Sequence, residues 1–246
     1  MMKLMLMTVL LLFTLAGSAF GEYGTTVLVD SLSSGLQENN ATYSVARDAE
    51  SATTNQAIVD VGQYGLGGST VFRSTLVFQD LPAMTACTAC TLYVDGTTDA
   101  SETDFAIHLY TAAEASPDKG NDDYSKFDGR QTGGAHTGTS ISNTWSSVSY
   151  SAGWNTMVFN ASGLDTLVAY SASDLWLMIL SSEDAGNSEP SHVAEADGEY
   201  VQFTQSGAYL AYTYSNGWTG EIMGVTNPAT VFGVDVEDIQ SIMGVE

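Results

Sequence analysis

Apolar and polar residues alternate along most of the chain after residue 25. In four segments one set of alternate positions is the more apolar, and these segments cover 71–78, 105–110, 175–180 and 209–214. A period of two with one apolar face is typical of sheets that pack on one another. The same reading predicts shorter strands at 26–29, 57–61, 91–95, 156–159 and 200–204. About nine strands separated by Gly, Asp, Asn and Ser loops predict an all-β sandwich.

Two segments have helical rather than alternating spacing. Leu164, Leu167 and Val168 follow Ser162, which predicts a short helix with Ser162 as its cap. Near the end of the chain, Asp235 is a candidate cap for a second short helix. The stretch 115–143 is rich in Gly and poor in apolar residues. We expect it to form a long surface loop, where sandwiches often place their function.

The first 21 residues have the pattern of a cleaved signal peptide. Lys3 is the only charge, residues 4–16 carry neither charge nor Pro, and small residues follow. This combination is typical of secretion, with the mature chain beginning near Phe20 or Glu22. The alternative is a membrane anchor, which needs about 20 apolar residues. The apolar stretch is shorter than that, so we expect a secreted or cell-surface protein with no membrane span after signal cleavage.

Acidic residues dominate the charge. The chain has 29 acidic and 6 basic residues, and loss of Lys3 with the signal peptide gives a net charge of −24. A field of this sign repels nucleic acid and anionic lipid, so neither is an expected partner. Solubility, adaptation to a salty medium, or binding of divalent cations would each explain the excess.

The C-terminal tail, residues 216–246, differs from the predicted sandwich over 22–215. It contains three related pieces that each end in Gly-Val, at 221–225, 230–234 and 241–245. Three short copies are too few for a solenoid. The tail either packs on the sandwich or attaches the protein to another surface protein.

Cys87 and Cys90 are the only cysteines. A CxxC pair can be redox-active when it opens a helix, but here it precedes a predicted strand. In an exported chain we expect a disulfide between Cys87 and Cys90. Residues three apart in a straight strand point to opposite faces, so this bond requires a turn at Thr88–Ala89.

Several segments occur in an order that resembles the DNRLRE domain. The first piece is an Asp-centred opening at 43–55, followed by a strand ending in Val-Gly at 58–62. An Arg-led strand followed by Leu-Pro comes next at 72–82, and then a strand similar to Ala-x-Leu-x-Tyr at 89–94. Later segments similar to the family cover 132–135, 154–167, 175–184 and 209–214. The family's Trp-containing segment is replaced here by 122–127, and the cysteines are atypical.

The resemblance implies an exported or surface-associated domain with a jelly-roll fold like that of carbohydrate-binding modules. It brings no fixed catalytic residues. The sequence also lacks a Gly-x-Ser-x-Gly elbow, and no acidic pair is singled out for glycoside hydrolysis. We therefore expect no enzymatic activity and keep a glycoside hydrolase only as a remote alternative.

Calcium is the most plausible inorganic ligand, because it prefers carboxylate and carbonyl oxygens. Three loops offer such groups, and two of them lie at 121–128 and 183–189. The favoured loop joins two predicted strands and contains Asp95, Asp99, Glu102 and Asp104. None of the three matches an EF-hand, and an acidic loop that is simply solvated explains each equally.

Aromatic rings could stack on sugars. Trp145 and Tyr124 flank the long loop and are the candidate polysaccharide-binding residues, whereas Trp154 is expected in the core because of the family resemblance. The sequence thus predicts a secreted, non-catalytic structural or surface-associated binding module. A calcium-dependent carbohydrate-binding module is the alternative.

Overall fold

The computed structural model describes residues 22–27, 33–56, 58–65, 69–112, 120–189 and 198–216, together with four residue pairs between 221 and 235. The predicted signal peptide lies outside the described residues. So do positions 115–119 of the predicted loop and most of the tail, including the predicted helix after Asp235. No helix in the described part of the chain is long and apolar enough to cross a membrane.

The described elements are mostly strands. The strands are β1 (Glu22–Val27), β2 (Ser34–Asn40), β3 (Thr54–Gln56), β4 (Ile58–Tyr64), β5 (Ser69–Phe78), β6 (Ala86–Asp99), β7 (Ala106–Thr111), β8 (Trp145–Ser146), β9 (Trp154–Val158), β10 (Leu175–Ser181), β11 (Gly198–Ser215), β12 (Glu221–Ile222), β13 (Val225–Thr226), β14 (Thr230–Val231) and β15 (Val234–Asp235). The helices are α1 (Tyr43–Asp48), α2 (Ala161–Ala169) and α3 (Ser182–Gly186), with 3-10 turns at Asn121–Ser125 and Ser147–Ser149.

The strand pairings define two layers. In the first layer, β6 lies between β9 and β11, and the other edge of β11 pairs with β4 and then with β1. The second layer runs β8-β7-β10-β5-β2-β3. All of these pairings are antiparallel, so the predicted all-β, jelly-roll-type sandwich is confirmed.

Strand β5 connects the two layers. Its residues 69–75 pair with β2 along one edge. Along the other edge, residues 70–72 pair with β4 and residues 74–78 pair with β10. A strand has only two edges, so β4 and β10 must follow one another along the same side of β5.

Alternate residues of both layers fill the space between them. Leu76, Leu177 and Phe203 belong to this core and have no exposed surface. Burying apolar side chains of this size stabilises the fold by about 1.5–3 kcal/mol each. The alternation in the sequence identified this face correctly.

A second apolar cluster covers the outer face of the second layer. It joins α1, the first 3-10 turn and the segment around Phe127 to the outward residues of β5 and β10, such as Val71 and Met178. The described part of the predicted surface loop, 120–143, therefore contributes buried residues. It serves as a cover over the sheet rather than as a free loop.

Three local predictions are corrected. The segments 200–204 and 209–214 belong to one strand, β11. Helix α2 is capped by Asn160 instead of Ser162, because the Asn160 side chain accepts a hydrogen bond from the N–H of Gly163 at 3.0 Å. Strand β2 was not predicted, because its sequence is mostly polar. In the structure it pairs with β5, and most of its residues are buried.

Candidate functional site

The outer face of the first layer carries one exposed and two partly buried aromatic rings. In β9 the burial alternates, so Trp154, Thr156 and Val158 face outwards. Tyr93 of β6 pairs with Thr156 on one side and with Tyr209 of β11 on the other. These three strands therefore place their outward side chains side by side. We call Trp154, Tyr93 and Tyr209 the aromatic face.

Tyr209 contacts both of the other rings at defined angles. Tyr93 and Tyr209 stack with ring centroids 4.6 Å apart and planes 4° from parallel. Trp154 meets Tyr209 edge to face, with centroids 5.6 Å apart and planes at 73°. Such pairs contribute about 0.5–1.5 kcal/mol beyond the area they bury, so the rings hold one another in place. Even so, 54% of the Trp154 surface is exposed, so the expectation that Trp154 lies in the core is wrong.

An irregularity in β11 positions Trp154. The register between β6 and β11 shifts between Thr204 and Tyr209, which leaves residues 205–208 as an extra loop in the strand. Gly207 lies in this loop with a φ of +84°, a conformation that favours glycine. A Cβ at Gly207 would lie 3.8 Å from Cη2 of Trp154, so the indole rests close to this backbone.

Polar groups accompany the rings. Partial desolvation raises the pKa of Tyr209, and the neighbouring Tyr93 and Tyr23 raise it further, so its hydroxyl stays protonated at neutral pH. Asp95 is the direct cross-strand partner of Trp154. An exposed indole beside phenol hydroxyls and a carboxylate can stack on the apolar face of a sugar and exchange hydrogen bonds with its hydroxyls.

The two aromatic residues predicted to bind sugar lie in the interior. Trp145 is 8% exposed and packs edge to face on Phe203 in the core between the layers. Tyr124 has no exposed surface; it lies 4.1 Å beneath the guanidinium of Arg73, and its hydroxyl donates to the carbonyl of Ala46. Neither ring is therefore exposed to a ligand in this structure.

The predicted calcium loop does not assemble a metal site. Among the described residues, no three His, Cys, Asp or Glu side chains come together in a way that could hold a metal ion. Asp99 accepts hydrogen bonds from the backbone and hydroxyl of Ser101. Asp104 accepts from the hydroxyl of Ser147 at 3.2 Å. Asp95 lies on the aromatic face. Together with Glu102, these residues are thus separate side chains and do not form one set of ligands.

Asp104 instead lines an acidic cavity of about 270 Å³. Its other acidic residues are Glu183, Glu189 and Glu199. Both carboxylate oxygens of Glu199 accept the N–H of Thr103 at 3.0 Å. Burial raises the pKa of Glu183, and Glu199 raises it further. The cavity is a feature that the sequence did not indicate, but its carboxylates do not converge on a point that a cation could occupy.

A buried ion cluster lies under the cover of the second layer. Asp184 of α3 contacts Arg73 of β5 and Arg47 of α1, and all three side chains are fully buried. His136 approaches Asp184 at 3.4 Å, and burial lowers the pKa of His136. Arg47 also donates to the carbonyl of Gly134. Because the cluster is closed to solvent, it joins the cover to the sheet and is not available to a ligand.

Cys87 and Cys90 are free thiols in the structure, so the predicted disulfide is not formed in it. The register nevertheless shifts at Thr88, so that Cys87 and Cys90 pair with Tyr214 and Tyr212. Because Tyr212 and Tyr214 are two residues apart in β11, both cysteines lie on the same face of the sheet. The required local distortion is therefore a β-bulge instead of a turn. Whether exported protein contains the bond stays a prediction.

The comparisons with known proteins identify no family. No protein-family model, that of the DNRLRE domain included, and no curated protein matches the chain. Among solved structures, a xylan-binding module, CBM15, is similar at 11% sequence identity and a TM-score of 0.36, covering 79% of this chain and 98% of that chain. At this distance the likeness carries no argument about ligand or binding residues.

Proposed function

We propose that this protein is a secreted, non-catalytic binding module that holds a polysaccharide on its aromatic face. The observation that carries the proposal is the exposed indole of Trp154, which Tyr209 contacts on the outer side of the sheet. A contiguous patch of aromatic side chains with polar groups at its rim is typical of an interaction surface. Together with the neighbouring hydroxyls and Asp95, the face suits a sugar ring better than an apolar peptide.

Secretion and the lack of catalysis rest on the sequence. The N-terminal 21 residues have the signal pattern, and neither a nucleophile motif nor a selected acidic pair is present. The buried ion cluster adds no candidate, since a reacting group must reach its substrate.

Affinity electrophoresis through gels that contain soluble polysaccharides tests the proposal. Trp154→Ala should weaken retention about tenfold, because truncating a central aromatic anchor typically costs on the order of 1.4–2 kcal/mol. Val148→Ala is the matched control, since Val148 is also an exposed apolar residue but lies off the aromatic face, in the second 3-10 turn. Equal retention of the Trp154→Ala and Val148→Ala variants would contradict the proposal.

Attachment through the tail is a separate prediction. The described pairs at 221–222 with 225–226 and at 230–231 with 234–235 form two short antiparallel ladders. Removal of residues 217–246 should abolish association with the cell surface while leaving polysaccharide retention unchanged. If retention falls as well, the tail contributes to the sugar site and is not an independent attachment element.

A further inference from the structure

We infer that the aromatic face takes an uncharged glycan as a single flexible chain, and that it binds neither a polyanionic polysaccharide nor a flat crystalline surface. This inference rests on the proposed function and specifies its ligand class. Two independent observations carry it: the angles between the rings, and the positions of the described cations.

The ring angles decide between a chain and a crystal face. A flat surface contacts several rings at once only when the rings are coplanar. Trp154 and Tyr209 are 73° apart, whereas Tyr209 and Tyr93 are parallel to each other within 4°. When the indole lies flat against a sugar, both phenol rings therefore stand on edge. In that orientation they offer no second stacking surface parallel to the indole.

The surrounding charge decides between neutral and anionic sugars. Arg47 and Arg73 are fully buried, Lys126 pairs with Asp122, and Arg130 pairs with Glu50. The described part of the chain thus places no cation on the aromatic face, whereas Asp95 lies next to Trp154 there. A uronate or sulfate bound on the indole would meet this carboxylate without a compensating charge, in the field of a strongly acidic protein.

The hydrogen-bonding groups complete the site. Asp95 can accept from sugar hydroxyls, and Tyr209 can both donate and accept. Neither Tyr93 nor Tyr209 has a hydroxyl that bonds to another described residue. The stacked pair of Tyr93 and Tyr209 thus adds two hydroxyl groups to the face that carries the indole, where they can bond to the hydroxyls of a sugar.

Three classes of probe test the inference with the full mature chain. They are soluble neutral polysaccharides (a mixed-linkage β-glucan and an arabinoxylan), polyanions (polygalacturonate and heparin) and microcrystalline cellulose. We expect retention by at least one soluble neutral polysaccharide, unchanged between low and high salt and about tenfold weaker in Trp154→Ala. Tyr209→Phe keeps the ring stack and removes only the hydroxyl. Because we expect this hydroxyl to bond to the sugar, the variant should also weaken retention severalfold.

The other outcomes separate the two claims. Trp154-dependent binding to polyanions alone, or to cellulose alone, would overturn the inference while leaving the proposed function intact. Full retention of the soluble neutral polysaccharide by Tyr209→Phe would overturn the hydroxyl contact on which the single-sugar arrangement depends. If no probe binds in a Trp154-dependent way, both the inference and the proposed function fail.

Discussion

Arg73 and Asp184 form a two-point ion pair between β5 and α3. Nε of Arg73 donates to one carboxylate oxygen of Asp184 at 2.6 Å, and Nη2 donates to the other at 2.8 Å. The remaining Nη1 donates to the carbonyl of Tyr124, so the guanidinium has a partner on every side. Such bidentate pairs combine electrostatic energy with a fixed geometry. The pair therefore determines how the cover sits on the second layer.

Asp184→Asn should destabilise the protein by about 3–5 kcal/mol, because it leaves the fully buried Arg73 without a countercharge. Urea unfolding at neutral pH measures this loss. Glu50→Gln is the control, since Glu50 pairs with Arg130 at an exposed position where ion pairs contribute little. Similar midpoints for both variants would contradict a structural role for the buried cluster.

The Asp184 pair also sets how the protein responds to acid. Burial alone would raise the pKa of Asp184, but the charge and hydrogen bonds of Arg73, assisted by His136, bring it well below its usual value. Its contribution to stability is therefore present above pH about 4 and is lost only as the pH falls further. In Asp184→Asn this acid-dependent loss should be absent, which unfolding curves between pH 2 and pH 5 would show.

Asp60 should have the opposite effect. It is 1% exposed, and burial raises its pKa to about 6, although a hydrogen bond with Gln202 opposes the shift. The folded state therefore holds this proton more tightly than the unfolded state, so stability falls as the pH rises from 4 towards 7. At pH 7 the cost is about 3 kcal/mol at 1.36 kcal/mol per pKa unit.

Asp60→Asn should recover most of that cost at pH 7 and little at pH 4. The relevant quantity is the difference in unfolding free energy between variant and wild type, because the overall charge of the protein also changes with pH. A difference that stays constant over this range would show that Asp60 does not titrate there.

Calcium and magnesium should raise the melting temperature equally at matched ionic strength. Both screen the self-repulsion of a chain with 29 acidic residues, and the described carboxylates do not converge on a metal position. Differential scanning fluorimetry measures both ions. A shift specific to calcium that disappears in Asp99→Ala would instead restore the calcium site predicted from the sequence.

Oxidation should join Cys87 and Cys90 within one chain. The bulge places both cysteines on one face of the sheet. In exported protein, a small-molecule disulfide of the medium can oxidise them by thiol–disulfide exchange and is itself reduced to two thiols. Intact mass should fall by two hydrogens, and stability should change by less than the roughly 2–4 kcal/mol typical of longer loops. Disulfide-linked dimers, or two thiols that stay reactive after unfolding, would contradict this expectation.

The sequence was most informative where one face of a strand is clearly the more apolar. Alternation in β7 and in the second half of β11 predicted both the strands and their buried faces. It could not choose the face of β9, because Trp154, Met157 and Val158 put apolar residues on both sides. The choice depends on Asn155, whose amide bonds to the backbone of Ser151 and Gly153 and so belongs inside.

The burial of Tyr124 also depends on a polar side chain that needs partners inside the fold, in this case Arg73. Its position beside a Gly-rich stretch suggested exposure, but Arg73 needs partners for a guanidinium that has no access to water. The Tyr124 ring and backbone carbonyl supply two of them. Such a requirement arises from residues 51 positions apart in the sequence, so local pattern does not reveal it.

Strand β5 pairs with β4 of the first layer and with β10 of the second layer along one edge. The two layers therefore cannot separate without breaking backbone hydrogen bonds of β5. Opening either layer means breaking hydrogen bonds of the same strand. The backbone amides in the middle of β5 should therefore exchange with solvent only when the whole domain unfolds, whereas those of the edge strand β9 exchange through local opening. The aromatic face thus spans a gradient of rigidity, with Trp154 on the strand that opens first and Tyr93 and Tyr209 on strands paired along both edges.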